Sequence, residues 1–233
     1  MGALGAWNLA RKTKQEAEKT RHALLDAAER AFSAHGVSRT SLSDIATEAG
    51  VTRGAVYWHF QNKADLFSAM MDRVTLPLEE AVEKAGHRGQ DDPLAAVKGC
   101  MLGALTTTAT DPKAQRVFEI VCHKCEFVDE MVAVKERYVE MRAGCLKQLE
   151  SGLRQAVKKG VLPAGLDTRS AAVGLHALVD GLINNWLMDR RYFPLAREAE
   201  KLIDLFLGGL RVASPKPSLP SRKTGAKRTA RRG

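Results

Sequence analysis

The stretch Ser41–Phe60, SLSDIATEAGVTRGAVYWHF, decides how the rest of the chain reads. Ser41 can cap a short helix, and Asp44, three residues on, can return the bond in a capping box. Leu42, Ile45, Ala46 and Ala49 then share one helical face. Gly50 stands where helices commonly end in a left-handed conformation, and Val51 supplies an apolar plug for the turn. Thr52 can cap a second helix whose Val56 and Phe60 point inward. Arg53, Gly54, Ala55, Tyr57, Trp58 and His59 are left facing out. The small Gly54 and Ala55 permit close approach to another surface. Arg53, Tyr57, Trp58 and His59 carry donors, and all but Trp58 can reach phosphate or base edges. This spacing predicts a helix-turn-helix whose second helix enters a major groove.

Working outward, a helix from about Lys14 to His35 presents Ala17, Leu24, Leu25, Ala28, Ala31 and Phe32 on one side, and Gly36 ends it. It completes a three-helix domain over 14–66. Downstream, Asn62 can cap a long fourth helix beginning at Lys63, with Asp65 at its third position. Pro77 is expected to kink or end that helix, which joins the first domain to the second. Asp92-Pro93 and Asp111-Pro112 read as cap followed by first helical residue. A long periodic segment runs from about Phe127 to Lys159 and stops at Gly160. Asp167 opens the next helix, and Pro194 opens the last. No alternating strand pattern or hairpin signal occurs. The fold class is therefore all-α, with about nine helices. The N-terminal domain carries the helix-turn-helix, and a C-terminal domain over 67–213 is expected to serve ligand binding and dimerisation. Residues 1–13 read as a flexible extension and 214–233 as a disordered basic tail.

Charge supports this division. The chain carries a net +9, yet residues 67–213 hold twenty basic and twenty acidic side chains. Residues 1–66 hold nine basic and seven acidic, and the tail holds seven Lys/Arg with no acid. Positive charge at the ends suggests attraction to a polyanion such as DNA. No apolar run approaches the ~18 residues of a membrane span, so no membrane partner is expected. Arg11 and Lys12 follow the mildly apolar start, the wrong order for a secretion signal. Cys100, Cys122, Cys125 and Cys145 all fall in helical patterns, which points to a reducing cytoplasm.

The stretch from Thr52 to Phe60, followed by Asn62-Lys63, resembles the DNA-binding signature of the TetR family. His123–Phe127 and Val179–Leu187 resemble the branch of that family containing AcrR and TtgR, repressors of multidrug-efflux operons. The similarity covers roughly Arg11 to Arg211. It implies a homodimeric repressor bound to near-palindromic double-stranded operator DNA and released by small hydrophobic or amphipathic ligands. The DNA-contacting residues would be Thr40, Ser41, Thr52, Arg53, Gly54, Ala55, Tyr57, Trp58, His59 and Lys63. Arg53 is the expected base reader, since Arg is the commonest partner of guanine. The resemblance places ligand contacts at Val74, Thr75, Val97, Phe118, Cys122, Cys145, Leu149, His176, Val179, Asp180 and Asn184. Thr75 departs from the carboxylate that AcrR carries there.

The same residues admit other chemistries. Cys122-His123-Lys124-Cys125 has the spacing of a zinc half-site or a dithiol, but no second Cys pair accompanies it and no strand precedes it. Two Cys on one helical turn read better as small buried hydrophobes. His176, Asp180 and Asn184 lie at i, i+4 and i+8, either as a satisfied network between packed helices or as polar anchors in an apolar cavity. No nucleophile elbow, phosphate loop or HExxH motif is present, so no catalytic residue, metal or cofactor is expected. An architectural DNA-binding protein using its basic tail is the alternative to a ligand-responsive repressor. The large neutral helical domain favours the repressor.

Overall fold

The computed structural model describes residues 3–88 and 91–212; the basic tail over 214–233 lies outside the described residues. Nine α-helices and no strand occur among those described. They are α1 (Ala3–His35), α2 (Leu42–Glu48), α3 (Arg53–His59), α4 (Lys63–Arg88), α5 (Pro93–Thr110), α6 (Pro112–Glu119), α7 (Val132–Lys158), α8 (Thr168–Met188) and α9 (Leu195–Val212). A π-type turn over Ile120–Lys124 continues α6, and a 3₁₀ turn over Asp129–Met131 precedes α7.

The caps form as the side-chain chemistry dictates. Ser41 N–H donates to Asp44 Oδ2 at 2.8 Å and Asp44 N–H donates to Ser41 Oγ at 3.2 Å, a reciprocal capping box. Thr52 Oγ1 accepts from Ala55 N–H, Asn62 from Asp65, Asp92 from Ala95 and Asp167 from Ser170. Gly36, Gly50 and Gly160 follow helix ends at φ +81°, +67° and +71°, where a side chain would be strained.

Four boundaries differ from the sequence reading. α1 begins at Ala3, not Lys14, so helix replaces most of the expected extension; Ala, Leu, Arg and Lys in that stretch are strong helix formers. α4 runs through Pro77 to Arg88. A proline interior to a helix costs about 3 kcal/mol, but α4 is packed against α1, α5 and α7. It is also pinned by Arg73 Nη2 to Asp26 and by Arg137 to Asp72. The expected helix from Phe127 begins instead at Val132. Asp129, at φ +49°, opens the 3₁₀ turn that breaks the helical path ahead of α7. Pro194 sits just before α9, its carbonyl accepting from Arg197 and Glu198 N–H.

Two apolar cores result. The first gathers Leu24, Phe32, Ile45, Val56, Phe60 and Phe67 from α1–α4 with Val117, Ile120, Val121, Met131 and Val134 from α6, the two turns and α7. The helix-turn-helix therefore shares its interior with the second domain, across the boundary placed at residue 66. The other core is built from α5, α7, α8 and α9, including Leu105, Leu153, Leu175 and Ile203. Phe118 packs against both.

α5 and α7 meet closely. A Cβ built on Gly152 would lie 2.6 Å from Val97 Cγ2, whereas one on Gly144 of the same helix meets nothing within 4 Å. Gly152→Ala should therefore destabilise the protein by about 1–3 kcal/mol through overpacking. Gly144→Ala should gain about 0.5–1 kcal/mol of helix propensity. Denaturant midpoints check both, and like signs at the two positions would contradict the close approach.

Candidate functional site

The α3 surface is built from its two ends. With Val56 and Phe60 buried and Thr52 capping the N-terminus, the remaining face is fixed toward solvent. Tyr57 is 48% exposed and Trp58 73% exposed, large values for aromatic rings. Arg53 Nη2 donates to Tyr57 Oη at 3.2 Å, and its guanidinium lies 5.4 Å from the Tyr57 ring centroid. The pair holds Arg53 extended along the helix before any partner arrives. Gly54 and Ala55 add no bulk. His59 stacks edge-on with Trp58, and burial together with the Arg21 charge holds its pKa below the usual imidazole range. At neutral pH it is thus a neutral donor.

Four of the residues expected at this surface have other partners. Thr40 is 3% exposed and its hydroxyl donates to the Gly36 carbonyl at 2.7 Å. Ser41 Oγ and Thr52 Oγ1 serve the caps. The Lys63 side chain is only 13% exposed; Nζ donates to the Val37 carbonyl and pairs with Glu130, both at 3.1 Å. Glu130 belongs to the second domain and is 67 positions away, beyond the reach of local pattern. The same junction carries Val37 N–H to the Lys124 carbonyl at 2.9 Å.

A cavity of about 810 Å³ lies in the second domain, walled by α4, α5, α6 with its π turn, α7 and α8. Of the residues expected to contact a ligand, it brings together Thr75, Phe118, Cys122, Cys145, His176, Val179, Asp180 and Asn184. Val74, Val97 and Leu149 do not line it. They are buried in the two cores, because their helical faces turn toward neighbouring helices. Periodicity identifies an apolar stripe but does not say whether a helix or a void lies opposite.

The sequence reading missed Met71, Met101, Tyr138, Met141 and Arg142 on the wall. It also missed Glu79 and Glu80, which return carboxylates to the cavity one turn beyond Thr75. Glu79 stands at i+4 from Thr75, a signal that was available. Burial pushes the Tyr138 phenol up to about 12, with Asp180 and Cys122 adding to the shift, so it stays a neutral donor. His176 Nδ1 lies 3.1 Å from Asp180 Oδ2. That hydrogen bond, with a second to Cys145, outweighs burial and raises the imidazole pKa to about 9. An imidazolium–carboxylate pair thus sits among mostly apolar side chains. Neither Cys122 nor Cys125 is the buried hydrophobe expected: Cys122 is exposed and opens onto the cavity and Cys125 is half-buried, although partial desolvation still pushes both thiols up to about 11. Among the described residues no group of three or more His, Cys, Asp or Glu could hold a metal ion.

Comparison with known proteins agrees with both halves. Residues 24–70 match the family model for bacterial regulatory proteins of the tetR family. Residues 92–212 match the C-terminal region of MAATS-type transcriptional repressors. The chain is 40% identical to the HTH-type transcriptional regulator TtgR of Pseudomonas putida, over 88% of this chain and 98% of that one. Among solved structures it resembles NalD, secondary repressor of the MexAB-OprM multidrug efflux pump in Pseudomonas aeruginosa. That match has a TM-score of 0.78 and 41% identity, and covers 84% of this chain and 98% of NalD. A complex of SmeT from Stenotrophomonas maltophilia with triclosan matches at a TM-score of 0.74 and 32% identity, over 82% and 91% of the two chains.

The His176–Asp180 pair has a pH signature. Its folded pKa is raised from 6.5 to about 9, so its stabilisation is fully present below pH 6.5 and is lost as the pH rises through about 9. Denaturant midpoints of the parent and His176→Gln should differ clearly at pH 6 and converge by pH 10. A difference independent of pH would mean the pair does not form.

Proposed function

The chain belongs to the TetR family of bacterial regulatory proteins, DNA-binding transcriptional regulators that are not enzymes, and from this we propose that it represses a multidrug-efflux operon in the cytoplasm and is released by apolar or amphipathic ligands. One observation carries the ligand-responsive part: Phe118 forms part of the cavity wall and also packs against the core that runs on into the helix-turn-helix. An occupant that moves Phe118 must disturb the packing beneath α1.

Two further connections support this reading. α4 starts at Lys63 beside the recognition unit and carries Met71, Thr75 and Glu79 onto the cavity wall. α6 is tied back to α1 by ion pairs of Arg116 with Glu29 and of Lys113 with Asp26, the second at 3.4 Å. Glu29 is buried, so it cannot shed Arg116 without leaving a charge unpaired in the interior.

DNA reading requires two copies. Along α8 and α9, Val179 and Leu207 are buried within the chain. Leu182, Ile183, Phe206 and Leu210 are half-buried, and Leu205 is 73% exposed with Val173 also outside. Pairing these faces of α8 and α9 would form a four-helix bundle with two-fold symmetry. It would set the two α3 helices on half-sites one or more turns of ~34–36 Å apart. Sedimentation should give a dimer at micromolar concentration, and a monomer would exclude this arrangement.

Arg53→Ala should cost about 1–3 kcal/mol of operator affinity and relax specificity at one base pair per half-site. Unchanged affinity in a binding titration would place the reading elsewhere. For induction, triclosan serves as the probe. Calorimetry with and without operator duplex should show triclosan affinity falling by the same factor as triclosan lowers operator affinity. Equal affinities in the two titrations would exclude induction by this ligand.

A further inference from the structure

A smaller hollow of about 370 Å³ opens beside the recognition unit. Arg39 and Ser41 ahead of α2, Arg53 and Tyr57 on α3, Lys63 at the head of α4, and Glu130 are among its lining residues. Three cations and one carboxylate thus line it. Among the described residues neither Arg39 nor Arg53 pairs with a carboxylate. Arg39 Nε donates to the His35 carbonyl at 2.9 Å, and Arg53 donates to Tyr57 Oη. This excess of positive charge, continuous with the exposed face of α3 through Arg53 and Tyr57, suits a phosphodiester of a DNA backbone.

Glu130 is the odd member. Every other lining residue lies between positions 38 and 63, whereas Glu130 comes from the second domain. Its Oε1 stands 3.1 Å from Lys63 Nζ. The carboxylate is held in place from both sides. Asp129 before it has φ +49°, a strained conformation for a residue other than glycine, and Met131 after it is buried in the first core. A purely structural ion pair at this junction looks different: Glu29, the partner of Arg116, is buried. Glu130 is exposed, so Lys63 can leave it without stranding a charge in the interior. Lys63 is also satisfied without it, since Nζ donates to the Val37 carbonyl at 3.1 Å.

We propose that Glu130 is an autoinhibitory carboxylate: it takes the place of a DNA phosphate against Lys63, is displaced when a duplex docks, and so lowers the affinity of the repressor for DNA. The proposal rests on the reading of the α3 surface as the DNA face and adds to it a residue that works against binding. An ammonium has three protons to donate. The one given to Val37 keeps Lys63 anchored while carboxylate and phosphate compete for the others. The two anions repel each other at that distance, so a docked phosphate sends the carboxylate into solvent. Glu130 also stands two residues ahead of α7, which runs on to Tyr138 and Arg142 on the wall of the large cavity. An occupant that displaces α7 therefore moves the carboxylate relative to Lys63.

The test follows the fluorescence anisotropy of a labelled random-sequence duplex with the full chain, since backbone contacts do not depend on sequence. Glu130→Gln keeps the shape and removes the charge. It should bind about two- to five-fold more tightly than the parent, the range an exposed ion pair supports. In a Lys63→Gln background, checked for folding by circular dichroism, the same change should leave affinity unaltered. Glu126→Gln controls for the general loss of negative charge, because Glu126 accepts from Ser38 at 3.5 Å, and its gain should be smaller. Equal gains from Glu126→Gln and Glu130→Gln, or a gain that persists without Lys63, would reduce the effect to overall charge and overturn the proposal. Unchanged affinity with a lower denaturation midpoint in Glu130→Gln would make the pair a structural staple and overturn it too. In those cases the parent still binds DNA and the reading of α3 stands. A parent that binds no duplex at all would sink both.

Discussion

The burial of α6 and its π turn against α1 and α4 is the constraint on which the rest depends. Ala114, Val117 and Ile120 are essentially inaccessible, in one core with Leu24, Phe32 and Phe67. A helix-turn-helix of this size has little interior of its own. α2 and α3 together are only fourteen residues, and short helices are marginal without tertiary packing. α1, against which α2 packs, is in turn backed by α6 and its π turn, so the second domain supports the motif through α1. The two domains are separable as patterns of sequence but not as packed units.

That sharing explains why polar contacts cluster where they do. Asp26, Glu29, Val37 and Lys63 all meet groups from α4, α6 or the segment just beyond it. Burial alone would push the Asp26 carboxyl up, yet Arg73 and Lys113 together hold it below the usual range. The charges fix the orientation of two apolar surfaces that could otherwise slide, since packing by itself is not directional. The cavity lies beyond this seam and reaches it through Phe118.

Much of this was legible in the residues. Caps are local chemistry, and Ser41 with Asp44, Thr52, Asn62, Asp92 and Asp167 form as their spacing dictates. The outward face of α3 followed from the inward placement of Val56 and Phe60. What escaped was set by distant parts of the chain. Pro77 stays helical because neighbours hold α4, and nothing near it says so. The π turn has no signature in Ile120–Lys124. Val74, Val97 and Leu149 were assigned to the cavity by resemblance, yet the neighbouring helices close over them. The resemblance gives Lys63 as a DNA contact, and its pairing with Glu130, far along the chain, has no local signature. Eight of the eleven positions given by the resemblance line the cavity: Thr75 on α4, Phe118 and Cys122 at the end of α6, Cys145 on α7, and His176, Val179, Asp180 and Asn184 on one stripe of α8.

The Lys63–Glu130 pair bears on how association with a polyanion responds to ionic strength. A lysine free in solution replaces a condensed cation on DNA and releases it to bulk, which gives protein–DNA binding its steep salt dependence. Lys63 already carries a carboxylate as its fixed counter-charge, and a backbone carbonyl besides. Turning it to a phosphate exchanges one anion for another and exposes Glu130 close to a negative surface. The entropic return from that residue is correspondingly smaller than a count of basic side chains implies. The junction between the domains thus sets part of the ionic behaviour of the DNA-facing side.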